Sequence, residues 1–234
     1  MTPAFTMLIL AAIAWVALHI GVAGSGLRGA IVARTGEGVF RGLFVLASFA
    51  VLGWLVYAYN AAGPVAQLWV APRWLVVALM LLMLPAMLLL VCAVSMPNPT
   101  SVRGERALQA EEPARGMLRV TRHPMLWAFT TWGLLHLAAV GTASMAVLAG
   151  AIIVTALAGM PSLDAKYAKR EPERWPAFAA KTSILPFGAI LGGRNRLVLR
   201  ELGWWRPILA VVLWIALIAA HPMLSAANPA RYFH

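Results

Sequence analysis

The side chains of this chain that could do chemistry among apolar neighbours are imidazoles. The two most telling lie thirteen residues apart: His123, in the run Thr121-Arg122-His123-Pro124, and His136, after Leu135. An imidazole can ligate a metal, carry a proton or bridge two helices, and an ionisable group in a lipid-like surrounding is costly enough to mark a functional position. Thirteen helical residues advance about 20 Å and turn about 220°, so the two cannot serve one metal ion. His123 precedes Pro124, which suits a first helical turn because its missing donor would be unpaired there anyway. It is expected at the helix mouth, either as an interfacial cap residue packed against Arg122 or as contact, with Arg122 and the helix N-terminus, for an anionic propionate or headgroup. His136 lies deeper and shares a helix face with Met125, Phe129 and Trp132, an aromatic wall ending in an imidazole.

Further histidines widen the choice of ligands. His19 follows Ala12 and Trp15 on its own helix face, about 9 Å from the basic boundary by helix rise, against about 18 Å for His136. Helices packed about 8 to 10 Å apart could set these two imidazoles on opposite faces of a flat macrocycle. The spacing fits a haem held by His19 and His136 and equally fits imidazoles bonded only to neighbouring helices. His221, at the outer end of the last apolar run, is the reserve ligand, and His234 is terminal. Cys92 is the only cysteine, which excludes an internal disulfide and a thiolate cluster and leaves it a packing role. No serine-histidine-acid pattern, phosphate loop or zinc signature competes.

The elements that must position these groups follow from composition. Of the 234 residues, 62% are hydrophobic and 12% charged, and the mean hydropathy is +0.79, a balance that a water-soluble domain of this size could not keep off its surface. The expected fold is an all-α polytopic membrane helix bundle forming one domain over residues 1–234. Runs long enough for a hydrocarbon core of roughly 30 Å appear about six times. They lie near Phe5 to Gly24, Gly42 to Tyr59, Trp74 to Ser95, Pro124 to Val140, Ser144 to Met160 and Pro207 to Ala220. Gly141-Thr142-Ala143 should close the fourth and fifth into a tight hairpin. Seventeen of the 19 basic residues fall in the first, third and fifth loops, leaving only Arg73 and Arg231 for the other side. By the positive-inside rule the crowded side is expected to be cytoplasmic and both termini to face out, which for a multi-pass protein of a bacterial inner membrane is the periplasmic side. The first run, with Arg28 after it and no Lys or Arg before it, is expected as a retained span. The net charge of +11 reads as topology and contact with anionic lipid; without aromatic-basic interleaving it does not indicate nucleic acid.

At these residues the chain resembles the NnrU family of bacterial membrane proteins, which also includes the 15-cis-zeta-carotene isomerases of plants and cyanobacteria. The resemblance runs through His19 with Gly26-Leu27-Arg28, Ser48, Gln67-Leu68-Trp69, Asn98-Pro99-Thr100, Thr121-Arg122-His123-Pro124 and Leu135-His136. It continues through Asp164, Trp175, Thr182-Ser183-Ile184-Leu185-Pro186-Phe187, Glu201-Leu202-Gly203 and His221-Pro222. It implies haem b, bound in the isomerase branch by a histidine of the first span and one after the arginine-histidine-proline motif; these map onto His19 and His136. The isomerases carry a cysteine three residues before the second ligand where this chain has Gly133, so a redox ligand switch of that kind cannot operate here. NnrU-type members often have an asparagine-glycine-aspartate turn after the fourth helix, which reads Val140-Gly141-Thr142 here. The resemblance implies either a redox protein linked to denitrification and nitric oxide, with a redox partner, or a haem-dependent isomerase of a hydrophobic, carotenoid-like substrate. Membrane methyltransferases that use S-adenosylmethionine share an arginine-histidine-proline motif, but their Glu-Glu pair is replaced by Ser162-Leu163-Asp164-Ala165-Lys166-Tyr167.

Overall fold

Helix α1, Pro3–Val16, opens on Thr2, whose hydroxyl accepts from the Phe5 amide at 3.3 Å. Pro3 stands at a first-turn position where its missing donor costs nothing. The helix continues as a π-helical segment, Ala17–Ala23, which carries His19. Ser25 then caps α2, Gly26–Thr35, a helix within the stretch that the charge pattern assigns to the first loop. The rest of the chain forms α3 (Glu37–Ala62), α4 (Arg73–Ser95), α5 (Pro124–Val140), α6 (Ala143–Arg170), α7 (Trp175–Lys181), α8 (Gly188–Leu191) and α9 (Trp205–Leu224). The structure, a computed structural model, describes residues 2–101 and 104–225; Arg103, Arg231 and His234 lie outside them.

Among the described residues five helices are long and apolar enough to cross a membrane: Pro3–Ala23, Glu37–Ala62, Arg73–Ser95, Ala143–Arg170 and Trp205–Leu224. The apolar α5, with 17 residues, is shorter. The chain is thus a nearly all-helical, multi-pass membrane protein. Each apolar run of the sequence falls on a helix, but helix ends and apolar ends differ. The run expected to stop at Met160 continues through Pro161 to Arg170, because leaving the hydrocarbon removes no backbone hydrogen bond and Lys, Ala and Arg propagate a helix well.

The chain forms two compact units, each assembled from several helices. Of the described residues, the first comprises 2–80, 133–159 and 221–225. In it α1 lies along α3, and Glu37 ties α2 to α3 by accepting from Arg28 at 2.5 and 2.7 Å and from Arg41 at 2.7 Å. The two-residue connection Gly141-Thr142 is gripped by the segment before α4. The Leu68 amide donates to Gly141 O at 2.7 Å, the Trp69 indole to Ala138 O at 3.0 Å, and the Ala143 amide to Val65 O at 2.9 Å. Gly141 has φ +63°, and a Cβ there would lie 2.2 Å from Trp69 O, so only glycine fits.

The second unit comprises Leu81–Trp132 and Met160–Ala220. Its buried clusters join Leu108, Leu118, Tyr167, Trp175 and Phe178, and separately Cys92, Met117, Val120 and Leu202. Met87 packs with Val91 and Ala210. The loop before α9 is held from inside by Glu201. Its carboxylate accepts from Arg119 Nε at 2.7 Å, Arg119 Nη2 at 2.8 Å and the Gly116 amide at 2.6 Å. The Arg119 guanidinium and this amide hold the Glu201 carboxyl down at about 2 and raise Arg119 in turn.

Candidate functional site

Two imidazoles face each other in the first unit. His136 comes from the last turn but one of α5 and His221 from the last turn of α9, with ring centroids 6.0 Å apart and planes inclined by 21°. With a metal–nitrogen bond of about 2.0 Å and about 1.1 Å from ring nitrogen to centroid, two imidazoles on opposite faces of one metal stand about 6.2 Å apart. The centroid separation comes close to that value in a pair whose rings are stacked. Among the described residues no group of three or more His, Cys, Asp or Glu could hold a metal ion. A metal that brings nitrogen donors of its own, as in a macrocycle, would ask for fewer ligands from the chain.

His19 is prepared differently. Its Nδ1–H donates to Trp15 O at 2.9 Å, which fixes the tautomer and leaves Nε2 as a lone pair, the arrangement that orients ligating histidines. The ring leans on Trp15 at 4.0 Å and meets Phe44 edge-on at 5.3 Å. Phe44 and Asn60 are separated by about 24 Å of α3. Asn60 donates to Leu224 O at 3.1 Å, one turn beyond His221. The structure therefore brings His136 and His221 together and places His19 toward the other end of α3. Of the remaining residues on the expected aromatic wall, Phe129 is 42% exposed and Trp132 is half-buried.

In the second unit Arg122 and His123 converge on one carboxylate, that of Asp164. Arg122 Nη2 donates to Asp164 Oδ2 at 2.5 Å and Arg122 Nε to both oxygens at 3.0 and 3.1 Å. His123 Nε2 donates to Oδ1 at 2.8 Å. The His123 side chain has no exposed surface, and its Nδ1 is buried without a partner. The anion met by this pair is thus the chain's own. Its frame consists of the other motifs: Thr121 Oγ1 donates to Ile184 O at 2.7 Å, the Arg122 amide to Ser183 O at 3.0 Å, and Thr100 Oγ1 to Arg122 O at 2.8 Å. The Trp175 ring lies 6.0 Å from the guanidinium. Sequence reasoning assigned Asp164 no role. The signal was available in a lone carboxylate two turns before the basic end of α6, on the side of the chain where Arg122 stands unpaired in sequence.

A family model described as NnrU protein matches residues 7–229. Curated relatives include the chloroplastic 15-cis-zeta-carotene isomerase of Arabidopsis thaliana, 32% identical over 119 residues, which are 48% of this chain and 32% of the relative. The enzyme of the same name from Zea mays is 28% identical over 116 residues, with the same shares of 48% and 32%. The chain thus matches about a third of the length of these relatives. No solved structure matches it significantly.

Proposed function

The chain belongs to the NnrU family, and from that premise we propose that it is an integral membrane haem b protein whose iron is held by His136 and His221. The observation that supports this reading is the 6.0 Å, near-parallel approach of the two imidazoles. Each is half-buried in an apolar helix end, where an imidazole is retained at a cost. When bound, haem b would supply one-electron redox chemistry, in keeping with the redox role in denitrification that the family resemblance implies. The protein's part would be to hold the group through His136 on α5 and His221 on α9, with the surrounding apolar side chains lowering the local dielectric.

Purification from haem-replete cells tests this by absorption spectroscopy. The wild type should carry a six-coordinate b-type spectrum. His136→Ala and His221→Ala should each lose the haem or become five-coordinate, while His19→Ala should leave the spectrum unchanged. A wild type without a haem band, or a His221→Ala variant with the wild-type spectrum, overturns the pair. Loss of the spectrum in His19→Ala would restore the ligand set implied by the resemblance, His19 with His136.

A second reading is favoured by one observation, the 32% identity to a 15-cis-zeta-carotene isomerase across 48% of the chain. It makes the protein a haem-dependent isomerase of a carotenoid-like substrate in the bilayer. Incubation with 15-cis-zeta-carotene in liposomes, followed by chromatographic separation of isomers, tests it; an unchanged isomer ratio refutes it.

A further inference from the structure

Residues 185–206 form an ordered loop that turns its charged anchors inward and its greasy side chains outward. On the inner side, Glu201 is locked by Arg119, Leu202 packs on Cys92, Met117 and Val120, and Asn195 accepts from Arg119 Nη1 at 2.6 Å while donating to Lys181 O at 2.8 Å. On the outer side, Leu191 is 84% exposed, Leu199 67% and Trp204 79%. Backbone held in place at three points cannot fold these side chains away, so something apolar covers them. The surface runs directly into α9, whose Ile208 and Val212 are likewise exposed, so the covering is continuous with the one that surrounds a membrane-crossing helix. Arg196 and Arg200 stand exposed among these residues. Glu201 is the only acid between 185 and 206, and it is already engaged by Arg119. The chemistry is that of the bilayer interface, with apolar side chains and tryptophan at the level of the headgroups and unneutralised guanidinium groups beside them.

We propose that this loop is an interfacial foot that binds anionic phospholipid headgroups through Arg196 and Arg200, with Leu199 and Trp204 seated in the upper acyl region. The site is distinct from the paired histidines and stands whether or not haem binds.

The test uses the full chain in phosphatidylcholine nanodiscs that contain, at equal mole fraction, either phosphatidylglycerol or phosphatidylcholine bearing a spin label high on the acyl chain. Trp204 fluorescence is taken as the difference between wild type and Trp204→Phe. Labelled phosphatidylglycerol should quench Trp204 more strongly, with an enrichment of about five-fold for each arginine, and the Arg196→Gln/Arg200→Gln variant should quench equally with both lipids. Unchanged quenching of that variant by labelled phosphatidylcholine would show that the loop keeps its place. Equal quenching in the wild type, or a preference that survives in the variant, overturns the headgroup assignment. Absence of quenching by either lipid overturns the foot itself and leaves the face to a protein partner.

Discussion

Replacing Asp164 with asparagine should be among the most damaging single changes in this protein. The carboxylate accepts from Arg122 at 2.5 and 3.0 Å and from His123 at 2.8 Å, and the side chains of Arg122, His123 and Asp164 are 12%, 0% and 15% exposed. An amide of the same shape removes the charge and turns one acceptor into a donor that faces donors. Breaking a buried pair by removing one partner costs about 3 to 5 kcal/mol; the slight exposure of the guanidinium, which lets it recover some hydration, puts the expectation near about 3 kcal/mol. The larger share of that loss should come from the stranded charge rather than from the pair. Accordingly, Arg122→Met/Asp164→Leu should lose less than Asp164→Asn alone, because well-packed apolar replacements for a buried pair are often nearly neutral. The assay is reversible unfolding in mixed micelles by added dodecyl sulfate, read by circular dichroism, with the cycle Arg122→Met, Asp164→Leu and the double variant giving the coupling energy. A coupling below about 0.5 kcal/mol, or a double variant as unstable as the sum of the singles, would refute this account of the cluster.

Glu201 should make stability depend on acid. Because Arg119 and the Gly116 amide depress its carboxyl from 4.5 to about 2, its contribution is complete above about pH 4.5 and is lost as the pH falls through about 2. It amounts to at most about 3 kcal/mol, and Glu201→Gln should flatten that part of the unfolding profile. Gly133→Ala places a Cβ 2.7 Å from Ile153 Cγ1 and should cost about 1 to 3 kcal/mol, with Gly133→Ala/Ile153→Ala less unstable than the sum of its two singles in the same unfolding titration. Gly141→Ala should be worse, because its Cβ meets the Trp69 carbonyl and not a movable side chain; lower yield and an earlier unfolding midpoint than for Gly133→Ala are the expected results.

Residue type and order were enough for the membrane class, the helices and the turn after Val140, because burial in lipid demands long apolar runs and satisfied backbone groups whatever surrounds them. Pro124 marked the start of α5, and helix rise correctly kept His123 and His136 apart. Helix rise also put His19 and His136 at depths that one macrocycle could bridge. It supplies only a position along an axis, however, and is silent about which helix stands opposite. The ring stacked near His136 is that of His221, 85 residues away in sequence, and the anion for Arg122 and His123 is Asp164, 41 residues beyond His123. Such pairings depend on the rotation of each helix about its own axis and on the order of helices around the bundle. Lipid accepts many such arrangements at similar cost, so only packing among side chains selects one.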